Sequence, residues 1–468
     1  KNPSALKLIE KAMDIRIRLN GSKDIARTLA DIGGIYQFLG KYDEAEKNLN
    51  KALEIYSRDF NLIEEANLLN NLGFMFYQNG NYEKAAFSFE EGMLCAKRSR
   101  HVRLETLLSI SIGDLYTRLN DSEIAEQNYR HAENLLEERD DQFLLFSLLI
   151  GQANLALLRR DLFAAGQLID SLGETVKKNS SHYDNGQFNL LLGKFDMFSG
   201  EFVGAVSKLE KAELCFLQDE LTLDVISARI WLSAAYVANG HSTTAIQKIK
   251  ETIGNKPQHV ALIAASQSLK WLKPLQKDIK AGREVRDLLG RAEKLADQLP
   301  DIRRELRRQA RVVEVPVAQL VINGFGNSKV LRDGRELSPS DWQTQSVREL
   351  FFFFLSQDVP LTKEQVASRF WQELDDPAKL KLRFKNDMYR LRRAVGSEVV
   401  RFENNQYVFN RSLNYEYDVE AFESHLLRAR SAKETEELIE FYTRAVDLFA
   451  GPYLNDMYFD WVIADRER

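Results

Sequence analysis

Residues 29–56, LADIGGIYQFLGKYDEAEKNLNKALEIY, hold two apolar stripes at helical spacing on either side of Gly40–Lys41. Their reading decides the fold, because the same frame returns along the chain. The turn LGKYDEA (39–45) is followed by NGNYEKA (79–85), LNDSEIA (119–125), RRDLFAA (159–165), SGEFVGA (199–205) and NGHSTTA (239–245). Ala45, Ala85, Ala125, Ala165, Ala205 and Ala245 therefore stand 40 residues apart. Twelve residues before each lies a small residue: Gly33, Gly73, Gly113, Ala153, Gly193 and Ser233. Four residues after each lies a large one: Leu49, Phe89, Tyr129, Ile169, Leu209 and Ile249. The small residue lets two antiparallel helices approach closely, and the large one fills the groove between neighbouring units. A fixed period of this length predicts a solenoid of helix hairpins.

The pattern resembles the tetratricopeptide family in a 40-residue form, with Gly33, Tyr36, Tyr42, Ala45 and Ala52 at the positions of that motif. Ser122 and Ser242 replace its aromatic residue, and Asp196 also departs from it. Ala5 and Ala12 lie one period before Ala45 and Ala52. Residues 3–19 thus read as the second helix of a further repeat, and the chain is expected to continue upstream. The concave face of such a superhelix is the expected groove for an unknown ligand or protein partner. Projecting the repeat onto the first helix of each unit points Asn70, Asp114, Arg118, Asn154 and Lys194 inward. Those side chains can hold a small molecule or a peptide, or simply line a hydrated groove.

Residues 255–315 leave the frame. Asn255–Lys256–Pro257 breaks the chain, Pro274 ends or kinks the next helix, and Pro300 interrupts the charged stretch 282–311. A helical cap and connector is expected there. Its Arg303, Arg304, Arg307, Arg308 and Arg311 suit either a nucleic-acid backbone or a solvated face.

At Pro316 helical spacing gives way to alternation. VAQLVING and KVLRDGREL, and later VVRF and QYVFN, are strand patterns, with Asp333–Gly334 and Asn404–Asn405 as hairpin turns. Three helices are expected between them, at 344–356, 362–372 and 377–395. Thr362 with Gln365, and Asp376 before Pro377, supply helix starts. In the third helix Leu380, Phe384, Met388, Leu391 and Val395 form one buried face. Lys379, Leu382, Lys385, Asn386, Tyr389, Arg390 and Arg393 form the opposite one, flanked by Lys381, Arg383 and Arg392. From 379 to 393 there are seven basic residues and one acid, Asp387. Such a helix suits the major groove. Its lysines and arginines would neutralise phosphates, Asn386 and Arg390 would reach base edges, and Leu382 would meet a thymine methyl. Arg401, Asn404 and Asn405 in the following hairpin complete the candidate DNA-binding set. Residues 316–414 carry 15 Lys+Arg against 12 Asp+Glu, a net of +3, within a chain of net charge −5.

FGNSKVLRDGREL (325–337), LTKEQVASRFW (361–371), YRLRRAVG (389–396) and VVRFENNQYVF (399–409) resemble the OmpR-like winged helix of Streptomyces antibiotic regulatory proteins. DVEAFESHLLRAR (418–430) and LFAGPYLNDMYFDWVIADRER (448–468) resemble the start of the bacterial transcriptional activator domain that accompanies it. Repeats before such an effector are similar to the MalT-like, signal-transduction ATPase regulators. The expected fold is mainly α: a tetratricopeptide-like α-solenoid at 1–254, the connector at 255–315, an α+β winged helix-turn-helix domain at 316–414, and the start of a helical activator domain at 415–468. The resemblance implies a transcriptional activator that binds double-stranded promoter DNA, recruits RNA polymerase and oligomerises on DNA. Two alternatives stay open: an interaction scaffold without DNA binding, and the regulatory module of a larger ATPase.

Other functions find little support. No window of about 18 apolar residues exists to span a membrane, and a cytoplasmic protein is expected. Cys95 and Cys215 fall three repeat units apart, beyond the roughly 4.4–6.8 Å Cα separation of a disulfide. The 6 histidines show no metal-ligand spacing. Gly324–Lys329 resembles a phosphate-binding loop but lacks the glycine before its lysine, and reads as a turn between strands. No enzyme and no cofactor is expected within this chain.

Overall fold

A computed structural model describes residues 22–38, 40–137, 139–178, 181–254, 259–357, 359–371, 376–403, 405–432 and 435–467. The chain divides into two compact units, residues 1–315 and 316–468. The half-repeat expected at 3–19 lies outside the described residues, as does Asn404.

In the first unit the 40-residue period becomes helix hairpins: α1 (Ser22–Phe38) with α2 (Tyr42–Arg58), α3 (Leu62–Asn79) with α4 (Tyr82–Arg98), and α5 (Val102–Arg118) with α6 (Ser122–Leu136). Then come α7 (Gln142–Leu158) with α8 (Leu162–Lys178), α9 (His182–Ser199) with α10 (Phe202–Gln218), and α11 (Thr222–Ala238) with α12 (Ser242–Ile253). The six recurring alanines are all fully buried. The small and large positions are partners within one hairpin. A Cβ built on Gly73 would lie 2.5 Å from the Phe89 ring, and one on Gly113 2.5 Å from Tyr129. Tyr129 is gripped from the next unit as well, since a Cβ on Gly151 would approach it to 2.6 Å. The large residue therefore fills the space that the glycine's missing side chain leaves, and at Tyr129 it also seals the inter-repeat seam.

The segment beyond the repeats corrects two expectations. After α13 (His259–Gln267) and α14 (Leu269–Leu272), α15 runs unbroken from Gly282 to Gln309 with Pro300 inside it. Arg303, Arg304 and Arg307 are buried, so they form neither a solvated face nor a nucleic-acid surface. α13 packs on both α11 and α3, and α15 reaches α4. Arg307 makes a two-pronged ion pair with Asp121, Nε to Oδ2 and Nη2 to Oδ1 at 2.6 Å each. Arg303 donates to the Asn120 carbonyl at 3.0 Å. The Arg311 backbone N–H donates to the buried Glu90 carboxylate at 3.0 Å. Asp121 is itself the N-cap of α6, accepting from Ile124 N. The late helices thus brace the second and third hairpins, and the arginine run is there to make that contact.

The second unit is an α+β structure. β1 (Leu320–Asn323), β2 (Lys329–Arg332) and β3 (Arg335–Glu336) precede α16 (Pro339–Trp342), α17 (Gln345–Ser356), α18 (Lys363–Phe370) and α19 (Pro377–Val395). β4 (Val400–Glu403) and β5 (Gln406–Phe409) form a hairpin. β6 (Tyr415–Tyr417), α20 (Asp418–Ser431), α21 (Thr435–Leu448) and α22 (Asp460–Glu467) follow. The larger sheet has the order β3-β2-β1-β6, with β1 antiparallel to β2 and parallel to β6. Asp333 and Gly334 both have positive φ, +51° and +78°, as the two-residue turn between β2 and β3 requires. Thr362 and Gln365 form the expected capping box.

No domain boundary falls at 414/415. β6 is a strand of the larger sheet, and Tyr453, Leu454, Met457 and Val462 are buried in the same core as α17 and α19. Two carboxylates add to the join. Asp418 accepts from Gly324 N at 2.7 Å and Phe325 N at 3.1 Å, and Asp456 accepts from Ser328 N at 2.9 Å. Gly324–Lys329 is accordingly a turn between β1 and β2. The four phenylalanines Phe351–Phe354 are all buried. Phe353 packs edge-on against Phe370 and Trp461 at 5.1 and 5.4 Å.

Candidate functional site

In the second unit, α19 is the element with the chemistry of a binding surface. Asp376 caps its N-terminus by accepting from Ala378 N at 2.9 Å, and Pro377 opens it. Phe384, Met388, Leu391, Ala394 and Val395 are buried, while Leu380 is half-buried against the same core. Phe384 sits 4.8 Å from the Tyr407 ring of the β4–β5 hairpin, and Arg392 donates to the Val400 carbonyl at 3.1 Å. The hairpin is thereby fixed against the helix. A bridge between Leu361 and Tyr407 ties it also to the start of α18.

Turned outward are Lys379, Lys381, Leu382, Lys385, Asn386, Tyr389 and Arg393, all exposed. Among the described residues, no carboxylate pairs with Lys379, Lys381, Lys385 or Arg393. Arg390 differs from its expected role. It is half-buried, and its Nη1 is held at 3.2 Å by the buried Asp387, which also pairs with Arg383 at 3.4 Å. Arg390 therefore stiffens the helix rather than reaching outward unpaired. Arg401 is exposed and lies 3.4 Å from Glu403; Asn405, with φ +63°, occupies the hairpin turn. Two further arginines escaped the helical projection because they come from another element. Arg332 of β2 donates to the Ala394 carbonyl at 3.1 Å, capping the end of α19, and with Arg335, Asp341 and Arg393 it lines a cavity there.

In the first unit, polar side chains join the inner helices in two groups, α1 with α3 and α5, and α7 with α9. Gln37 donates to Gln78 at 2.9 Å, Ser111 to Asn70 at 2.8 Å, Arg118 to the Tyr77 hydroxyl, and Lys194 to Asn154 at 3.2 Å. Asn70 is buried between helices, so it braces neighbours and lines no open groove. Asp114, Arg118, Asn154 and Lys194 are half-buried on α5, α7 and α9. Asp114 accepts from Tyr129 at 2.7 Å, and Asp224 from Gln187 at 2.7 Å. The projection missed Asp224, Tyr77 and Trp231, and also His259, which enters from α13 and meets the Tyr82 hydroxyl at 3.2 Å.

Burial sets the electrostatics of this face. It raises Asp114 and Asp224 each to about 6. It lowers His259 to about 4, with Arg118 and Arg291 adding to the fall. Stability from the two raised carboxyls is complete below their unfolded value of 3.8 and is lost as pH rises through about 6. That from His259 is complete above 6.5 and is lost as pH falls through about 4. Chemical denaturation at several pH values tests the first pair. The parent should gain stability relative to an Asp114→Asn, Asp224→Asn double variant as pH falls from 6 to 4. A difference that does not vary with pH would show that these carboxyls are not shifted.

Among the described residues no helix is long and apolar enough to cross a membrane, and no cluster of three metal-ligating side chains occurs. No curated protein matches the chain. A family model for the tetratricopeptide repeat matches residues 1–58. With the helix hairpins that continue the same period to Ile253, this match makes the first unit a tetratricopeptide-like helical-repeat region, of the kind that serves as a protein-interaction or regulatory module.

Proposed function

We propose that the chain is part of a DNA-binding transcription regulator, an activator, whose repeat region senses a ligand or protein partner and controls a winged-helix effector. The observation that carries this reading is the outward face of α19. Four exposed cations without carboxylate partners flank Asn386, directly before a hairpin that packs on the same helix. Lys379, Lys381, Lys385 and Arg393 would hold phosphates, with Arg401 beside them, and Asn386 and Leu382 would read base edges. The resemblance to antibiotic regulatory proteins adds RNA polymerase and assembly on repeated promoter sites as partners, and the similarity to MalT-like regulators adds control by a nucleotide-binding domain. No catalytic role and no cofactor is proposed for the chain itself.

Titration of labelled duplex DNA at increasing salt tests the reading. Five neutralised phosphates give a slope of log K against log salt of about −4.5. A Lys379→Ala, Lys381→Ala, Lys385→Ala variant should flatten that slope by about 3. Asn386→Ala should instead relax base preference at one position, by about 1–3 kcal/mol. Absence of salt-dependent binding to any duplex, even at low salt, overturns the proposal.

That result would favour an interaction scaffold, for which one observation speaks. Leu382, Tyr389 and Phe402 are exposed by 60%, 67% and 52%, an apolar component that a protein partner would also cover.

A further inference from the structure

The inner face of the first unit holds charges of two kinds. Its carboxylates are provided for: Asp114 has the Tyr129 hydroxyl and Asp224 the Gln187 amide. Its two cations are not. Arg118 donates to the Tyr77 hydroxyl and lies 4.7 Å over that ring, and Lys194 has the neutral Asn154 oxygen and the Trp231 face at 5.5 Å. Neither forms an ion pair with a carboxylate among the described residues. Asp114, one turn earlier on the same helix, offsets part of the Arg118 charge, but Lys194 has no such anion, and burial, with Arg118 adding to the fall, lowers it to about 8.

We infer that this face is a binding site for a small organic anion, with a carboxylate or phosphate group seated between Arg118 and Lys194. The planar guanidinium suits two oxygens at once, and the ammonium adds a point charge beside it. The body of the ligand lies against half-buried Phe198, which packs edge-on to Trp231 at 6.2 Å and is faced by Arg160 at 4.4 Å. A compact ligand fits better than an extended peptide. α13 packs on both α3 and α11, and it brings His259 against Tyr82 beside the inner helices that carry the cations. An arriving anion supplies the counter-charge that Lys194 lacks and raises it from about 8 toward its ordinary basicity.

The inference deepens the sensor half of the proposed function, and its test is separable from DNA binding. Calorimetric titration of the whole chain with benzoate, phenyl phosphate and neutral benzamide should show binding of one or both anions and none of the amide. The stronger anion identifies the acid group. Lys194→Met and Arg118→Gln should each weaken that binding roughly ten- to hundred-fold, the worth of a charge-assisted hydrogen bond. Lys194→Arg should retain most of it, as should Lys51→Ala on the exposed side of α2. Equal binding of benzamide, unchanged affinity in the Lys194→Met and Arg118→Gln variants, or no anion binding at millimolar concentration overturns the site. Duplex binding measured on the same samples distinguishes the failures. Anion binding that leaves DNA affinity unchanged keeps the site and removes its coupling to the effector. DNA binding without anion binding does the reverse.

Discussion

Arg307→Ala will destabilise the repeat region by about 3–5 kcal/mol, the usual loss when one member of a buried ion pair is removed. The side chains of Arg307 and Asp121 are 4% and 1% exposed. Without the guanidinium, Asp121 keeps its capping bond to Ile124 N, but both of its carboxylate oxygens lose their 2.6 Å partners. The damage should spread, because the same stretch of α15 brings Arg303 to the Asn120 carbonyl and leads into the backbone contact with Glu90. Urea denaturation of the whole chain measures the loss, and hydrogen exchange should place it in α4, α6 and the end of α15. An Asp121→Asn, Arg307→Met variant should recover more than half of it. The pair is not ideal even when intact, since Arg307 Nη1 is buried without a partner, and an apolar replacement removes that cost. Arg291→Ala is the control. Its contact to Asp287 is an exposed pair at 3.8 Å, worth about 0–1 kcal/mol. A loss below about 1 kcal/mol for Arg307→Ala would mean that α15 does not brace the early repeats.

Phe353→Ala will cost the second unit about 3–5 kcal/mol, as deletion of a fully enclosed aromatic ring does. Phe353 is 2% exposed and is held between Phe370 of α18 and Trp461 of α22. The variant opens a cavity where three parts of the chain meet, so the unfolding transition of 316–468 should move to lower denaturant as one step. Loss of α22 protection alone would show that the C-terminal segment is only an appendage. Val317→Ala, at a residue 79% exposed, should change stability by less than about 0.5 kcal/mol.

The repeat region could be read residue by residue because its information is local and repeated. A small side chain, an alanine and a large side chain at fixed offsets specify one hairpin, and every later unit tests the same reading. The strands, the Asp333–Gly334 turn, the Thr362 capping box and the buried stripe of α19 were legible for the same reason. Each depends on neighbours a few residues away, where φ, capping and helical periodicity act.

Most of the misreadings have the opposite cause. Pro300 looks like a helix break, yet α15 continues through it, supported by packing against α13 and by arginines anchored about 180 residues earlier in the chain. Those arginines look like a solvated or nucleic-acid-binding run, because nothing nearby in sequence announces Asp121 and Glu90. Arg390 differs in that its partner Asp387 is one turn away on the same helix; what the spacing did not show is that packing buries that carboxylate. Asn70 faced the groove in projection, whereas the approach of α5 buries it against Ser111.

The amino-acid sequence by itself determined the repeat, its period, the change of character at residue 316 and the basic face of the third helix in the second unit. All of these follow from side-chain size and polarity at short, regular spacing. Only the tertiary structure decided which charges are spent on holding the protein together and which remain available. Asp121 with Arg307 and Asp387 with Arg390 are spent; Lys379, Lys381 and Lys385 are exposed without a carboxylate partner, and Arg118 and Lys194 are half-buried without one. Pairing of Asp121 with Arg307 depends on distances set by the packing of remote segments, and burial by such packing fixes what each charge, Asp387 included, costs. Neither the long-range distances nor the burial is present in a local stretch of chain.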